Sequence, residues 1–207
     1  MTLNGKSHSY PTLEFERNLW NDGFTCIAGI DEAGRGSWAG PVAAAAVILP
    51  ANPSLTLILN RVRDSKMMTQ LARETWAPRI KESAVSWGVG FASAEEIDTQ
   101  GIIPATKLAA TRALQGLLPD FLITDYLIFR EIDLPQTALV KGDQRSLSVA
   151  AASVLAKTAR DALMRELEIQ YPGYGFARHK GYGTRLHREA IIKLRRCEIH
   201  RKSFSIP

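Results

Sequence analysis

Thr25-Cys-Ile-Ala-Gly-Ile-Asp-Glu-Ala-Gly-Arg-Gly36 places an apolar run, two adjacent carboxylates and a glycine-punctuated turn side by side. The run Thr25–Ile30 predicts a buried strand that stops at Asp31 and Glu32. Gly34, Gly36 and Gly40 then break the pattern, and Pro41–Leu49 reads as a second strand. The pair predicts a hairpin with a glycine-rich connection. Neighbours on a regular strand point to opposite faces. Asp31 and Glu32 therefore reach one site only if the strand ends at them and the chain turns, which the glycines permit.

Outward from this hairpin the pattern alternates. Thr69 caps a helix running to about residue 86, and Trp87–Ala92 is a third strand. Ser93-Ala-Glu-Glu96 has the serine and the acid three positions later that form a capping box, so a helical segment opens there. A further helix spans about 105–118. Phe121–Thr124 is a fourth strand ending at Asp125, and Ala138–Val140 a short fifth. Ser146 or Ser148 opens a long helix to about Tyr171, which Pro172 and Gly173 stop, and a basic helix follows from about 186 to 196. Strands first, then helix–strand alternation, predict an α/β fold: a mixed central β-sheet flanked by helices. A C-terminal helical region covers about 171–207. One domain spans 13–207, with residues 1–12 as a disordered tail.

Four acids stand where strands stop: Asp31, Glu32, Asp125 and Asp143. A carboxylate at the rim of a buried sheet is costly unless something positive sits beside it. Ligands of open α/β sheets bind in the crevice beyond the strand ends. Hard divalent cations are held by carboxylate oxygens, so the four together predict a site for Mg²⁺ or Mn²⁺. Any one of them alone fits a cap, a turn or a surface charge, and Asp143 in particular can cap the helix after it.

Composition narrows the partner. The chain has 207 residues, 45% hydrophobic and 23% charged, with a net charge of +5. That suits one domain with its own core. The positive excess lies at the C-terminal end: Lys141–Pro207 holds fourteen basic and six acidic residues. A basic third of this kind points to a polyanion, most simply a phosphate backbone. Lys141, Lys157, Arg178, Lys180 and Arg185 are the candidate phosphate contacts. Cys26 and Cys197 cannot form a disulfide framework or a four-cysteine zinc site. They are expected to be reduced thiols in a cytoplasmic protein. No apolar stretch approaches the roughly 20 residues that span a bilayer, and the N-terminus lacks an export signal core. His8, His179, His187 and His200 include no HxxxH pair, and there is neither a GxSxG elbow nor a GxxxxGK[ST] loop.

From Gly29-Ile-Asp-Glu-Ala-Gly-Arg-Gly36, followed by Gly40-Pro-Val42, the chain resembles the ribonuclease HII family. Matching blocks follow in order: Asp64-Ser-Lys66, the strand ending at Asp125, and Lys141-Gly-Asp143 with Ser146 and Ser148. Next come Ala150-Ala-Ala-Ser153, Ala156-Lys157 and Arg160-Asp161. His179-Lys-Gly-Tyr-Gly-Thr184 with His187, and His200-Arg201 with Ser203-Phe204, complete the set. The resemblance covers about residues 25–207.

It implies a ribonuclease H-like fold and endonucleolytic cleavage of the RNA in RNA–DNA hybrids. It also implies cleavage 5′ of single ribonucleotides in duplex DNA, leaving 5′-phosphate and 3′-hydroxyl ends. Asp31, Glu32, Asp125 and Asp143 then look like catalytic acids around two Mg²⁺ or Mn²⁺ ions. Gly34, Arg35 and Gly36 look like the loop that senses the ribose 2′-OH, and Tyr182 like the aromatic that packs on the sugar at the RNA–DNA junction. Lys66 and Ser148, which lie in the matching blocks, join Lys141, Lys157 and Lys180 as substrate contacts. The expected partners are RNA–DNA hybrids and ribonucleotide-containing DNA, with a monomeric protein, no membrane and no protein partner named.

The sequence departs from the family pattern at Tyr126, where glycine is usual, at Met67-Met68 in place of Lys-Leu, and at Ser37-Trp38 in place of Pro-Leu. Of these, Tyr126 bears most on activity and metal preference, because it follows the third acid. Two other readings stay open: a nucleic-acid-binding module without catalysis, and another nuclease on the same fold.

Overall fold

The computed structural model describes residues 10–206. Its centre is a five-stranded sheet built from β1 (Ile27–Ala33), β2 (Val42–Ile48), β3 (Ser86–Ala92), β4 (Phe121–Asp125) and β5 (Gln136–Leu139). The order is β3-β2-β1-β4-β5. β1, β2 and β3 pair antiparallel, while β4 lies parallel to β1 and β5 parallel to β4. The sheet is mixed, as the alternation predicts.

The helices are α1 (Glu14–Asn21), α2 (Leu55–Ile58), α3 (Gln70–Ser83), α4 (Ala94–Gln100), α5 (Ile102–Leu114), α6 (Leu147–Gln170), α7 (Phe176–His179) and α8 (Arg185–Leu194). Single 3₁₀ turns occur at Ser65–Met67 and Gly142–Gln144. Local chemistry sets several ends. Thr69 accepts from Ala72 N–H at the head of α3, Ser93 and Glu96 form the full capping box of α4, and Ser146 rather than Ser148 caps α6. α5 begins earlier than its apolar pattern indicates, at a kink in Gly101 (φ 88°), and Gly116 (φ 83°) turns the chain just beyond it.

Alanine-rich β2 is buried along its whole length. Its residues divide by face: Ala45 and Val47 pack with α3 and α6, and Ala44, Ala46 and Ile48 with α5. Small side chains bring both helices close to the sheet. At Gly90 a β-carbon would sit 2.2 Å from the Ala109 carbonyl, and at Gly29 2.3 Å from the Ser148 backbone.

Two expectations need correction. β1 does not stop before its acids but continues through Ala33, with Asp31 opposite Ala45 and Glu32 opposite Ala44 on β2. What ends is the pairing with β4, whose last partner is Ile30. The tail expected over 1–12 lies outside the described residues for 1–9. By Thr12 the chain is already bound in: Thr12 N–H donates to the Arg145 carbonyl (3.1 Å) and Leu147 N–H to the Thr12 carbonyl (2.9 Å). α1, a helix beyond those expected from the sequence, follows directly. Among the described residues no helix is long and apolar enough to cross a membrane.

Candidate active site

The acids meet because β1 and β4 run in parallel. Ile30 pairs with Thr124, so Asp31 and Asp125 leave the paired region side by side. After β5 the chain turns through Lys141 (φ 56°) into the 3₁₀ turn that carries Asp143. Gly142 N–H donates to Asp125 Oδ1 (2.8 Å), which ties that turn to the end of β4.

Asp31 and Asp143 are each only 3% exposed. Asp31 Oδ1 accepts from Glu32 N–H (2.7 Å), while Oδ2 is buried with no hydrogen-bond partner among the described residues. Burial, then Glu32, then Asp125 push the Asp31 carboxyl well above the ordinary range, against the pull of the nearby Ser153 hydroxyl. Burial also raises Glu32, against the pull of Arg35, whose Nη1 lies 3.1 Å from Oε1. Burial, Asp64 and Asp125 push Asp143 up to about 7. Asp64, also buried, is a fifth acid beside them, which the sequence shows only as part of a matching block.

Lys66 is the cation they share. Burial works against its ammonium, but Asp31, Asp64, Asp143 and Asp125 together outweigh that and raise its pKa. Its Nζ lies 3.9 Å from Asp143 Oδ2. Among the described residues, no three His, Cys, Asp or Glu donors close around a common point as they stand. The donor set nevertheless fits a hard divalent ion. It is all oxygen, Asp31 and Asp143 are buried with Glu32 and Asp125 half-buried, and Asp31 Oδ2 has no hydrogen-bond partner among the described residues.

The glycine loop lies directly beyond β1, held to the acids by the Arg35–Glu32 ion pair. Its two glycines differ. Gly34 has φ 92°, and a β-carbon there would lie 1.9 Å from Arg160 Nε, so the fold itself requires glycine. Gly36 is exposed and a β-carbon would meet nothing within 4 Å, so nothing within the chain requires glycine there.

Tyr182 is half-buried, with Lys157 Nζ 5.3 Å and Arg160 Cζ 5.5 Å from its ring centre. A chain of neutral imidazoles holds its backbone. His200 Nδ1 lies 2.9 Å from Cys197 N and 3.2 Å from the Cys197 carbonyl, and its Nε2 lies 3.1 Å from His187 Nε2. His187 Nδ1–H then donates to the Tyr182 carbonyl (3.0 Å). Burial, with His179 and His200 beside it, pushes His187 down to about 4.

Of the remaining predicted contacts, Lys66 and Lys141 are exposed. Lys157 pairs with Asp161 (2.6 Å) beneath Tyr182. Two expectations fail as substrate contacts. Ser148 is 0% exposed, because its hydroxyl donates to buried Glu16 Oε1 (2.6 Å). Lys180 turns inward and donates to the Ala177 carbonyl. Trp38, one of the departures from the family pattern, packs against Gly183 and the His187 ring (5.6 Å). Tyr126 takes φ 68° and is 67% exposed. Glycine adopts that backbone without strain, and the aromatic ring extends into solvent.

Two arginines that the sequence shows only within matching blocks, with no role, are buried. Arg160 and Arg201 are both 0% exposed. Locally each is one basic residue among many, and only the packing of segments distant in sequence marks them out.

Residues 28–206 match the family described as Ribonuclease HII. A ribonuclease HII from Dehalococcoides mccartyi strain 195 is 49% identical over 192 residues, covering 92% of this chain and 90% of that one. A ribonuclease HII from Archaeoglobus fulgidus, solved in complex with PCNA, shares the fold with a TM-score of 0.71 and 27% identity, over 85% of this chain and 92% of that one. Bst-RNase HIII, solved in complex with Mn²⁺, has a TM-score of 0.66 at 23% identity, over 88% of this chain and 68% of that one.

Proposed function

The chain belongs to the ribonuclease HII family, endonucleases that act on the RNA of RNA–DNA hybrids, and from that premise we propose that Asp31, Glu32, Asp125 and Asp143 hold two divalent ions, Mg²⁺ or Mn²⁺, against a scissile phosphate. The observation that carries this reading is the buried, unpartnered Asp31 Oδ2 within a group of acids whose charges press on one another. Bound ions would lower the pKa of the attacking water and stabilise the leaving oxygen. Lys66 gives up its place among the acids when the ions enter and turns toward the phosphates.

The substrates are RNA–DNA hybrids and duplex DNA with single embedded ribonucleotides. The cut falls 5′ of the ribonucleotide and leaves a 5′-phosphate and a 3′-hydroxyl. Only the 2′-OH separates ribose from deoxyribose, so discrimination needs a polar group brought close to the sugar. Gly36 supports this role, because its open surroundings let a backbone amide approach a substrate with no side chain between them. Arg35 and the exposed Lys141 supply phosphate contacts, and Tyr182 packs on the sugar at the junction. Removal of ribonucleotides during DNA replication and repair, in the cytoplasm, is the role this chemistry serves.

The test is cleavage by purified protein of three duplexes: all-DNA, one embedded ribonucleotide, and a full RNA–DNA hybrid, each with Mg²⁺ and with Mn²⁺. The reading expects cleavage of the last two only. Cleavage of the all-DNA duplex would identify another nuclease, and binding without cleavage under every condition would identify a binding module.

A further inference from the structure

Arg160 and Arg201 lie in the interior with their guanidinium groups turned to backbone carbonyls. Arg201 Nη2 donates to the Gly34 carbonyl (2.7 Å), Nη1 to the Arg35 carbonyl (2.7 Å) and Nε to the Gly40 carbonyl (3.1 Å). Arg160 Nε donates to the Pro41 carbonyl (2.8 Å), Nη2 to the Ala39 carbonyl (3.2 Å) and Nη1 to the Lys180 carbonyl (2.9 Å). Neither forms an ion pair with a carboxylate among the described residues. Buried charge without a carboxylate partner is costly, so a cheaper residue would serve if packing were the only task. The peptides they hold belong to three segments: Gly34 and Arg35 in the glycine loop, Ala39–Pro41 just after it, and Lys180 in the turn before Tyr182. Trp38 N–H to the Gly181 carbonyl (2.8 Å) and Arg201 N–H to the Trp38 carbonyl (2.8 Å) join those segments directly.

The consequence follows from peptide geometry. In a trans peptide the C=O and the following N–H point in opposite directions, and the peptides here are trans. Drawing the Gly34 and Arg35 carbonyls inward onto Arg201 turns the N–H groups of Arg35 and Gly36 outward. Among the described residues neither N–H donates to another protein group. Two adjacent free amides then face solvent beside the acids.

Building on the function proposed above, we propose that Arg201 and Arg160 are positioning residues for ribose recognition. Arg201 sets the direction of the Arg35 and Gly36 amides, and Arg160 ties Ala39–Pro41, the segment that follows that loop, to the turn before Tyr182. Gly34 is part of the same device, since any larger residue would collide with Arg160. The C-terminal segment therefore acts on the glycine loop from 166 and 167 residues away in sequence.

The test compares wild-type protein with Arg201→Lys, which keeps the charge but loses the forked donor. Two quantities are read with Mg²⁺: kcat/KM on a duplex with one embedded ribonucleotide, and the inhibition constant of an all-DNA duplex of the same sequence. The proposal expects kcat/KM to fall at least tenfold while the inhibition constant stays within twofold. Phe204→Ala is the second variant, because that ring lies 5.0 Å from the Arg201 guanidinium and steadies it without contacting the loop. It should move kcat/KM in the same direction by about threefold, and it decides the matter if Arg201→Lys does not fold. Unchanged kcat/KM in folded variants, or a loss matched by an equal loss of DNA affinity, would overturn the positioning role. Failure of the wild-type protein to cut the single ribonucleotide would instead overturn the function on which the proposal rests.

Discussion

The acid end of the sheet and the arginine bracket behind it are both built from buried charge, yet they are completed differently. Every donor of Arg201 and Arg160 that points inward meets a carbonyl. At the acid end, Asp31 Oδ2 has no partner, Asp143 is pushed up to about 7, and one lysine serves several carboxylates. A satisfied buried charge holds a shape, whereas an unsatisfied one stores a binding site that a cation can complete.

The sharpest break of that contrast is Asp31→Asn. Losing one acid removes electrostatic stabilisation of several kcal/mol, so metal-dependent cleavage should fall on the order of a thousandfold or more. Folded Asp31 resists ionisation, so thermal unfolding without metal should stay level or rise. Retained activity, or a clear drop in unfolding temperature, would place Asp31 on the structural side of the comparison.

The two glycines of the loop divide along the same line. Gly36→Ala should leave stability unchanged and lower kcat/KM on a single-ribonucleotide duplex about tenfold, the worth of one lost hydrogen bond to substrate. Tyr182→Ala should cost activity to a similar degree. Gly34→Ala should instead destabilise the fold by roughly 2 kcal/mol, through positive φ and collision with Arg160. Paired activity and denaturation measurements on the three variants check this, and equal destabilisation at both glycines would erase the distinction.

The smallest effect is one of pH. Folded His187 stays neutral down to about 4, whereas unfolded it protonates near 6.5. The unfolded state binds more protons between those values, so stability falls as pH drops through that window, by about 3 kcal/mol at most. Asp143 works in the opposite sense there, because folding raises its pKa. Asp31 and Glu32, which burial also raises, act like Asp143, so the His187 contribution is read as the difference between the urea-denaturation profiles of wild type and His187→Gln. A difference that stays constant from pH 6.5 to 4 would show that the imidazole chain tolerates protonation.

The sequence exposed the acid end far better than the bracket. The carboxylate that ends β4, the Ser93 capping box and the apolar runs are local signals, and each corresponds to an observed element. The length of β1 was not local, because its pairing with β2 outlasts its pairing with β4. Glu16 gave no sign of burial, since the hydroxyls of Ser146 and Ser148 that receive it are 130 and 132 residues away. Ser148 is buried for the same reason, its hydroxyl turned to Glu16 and away from solvent. A local pattern shows where a charge lies along the chain, while its partner is set by the tertiary fold.

The central claim is that the acids close around divalent ions, and a crystal structure of the wild-type protein grown with Mn²⁺ tests it most directly. Anomalous density for manganese bound by Asp31 Oδ2 together with at least two of Glu32, Asp125 and Asp143, with Lys66 displaced outward, is the predicted result. A saturating soak that leaves Lys66 among the acids and no manganese beside Asp31 would contradict it.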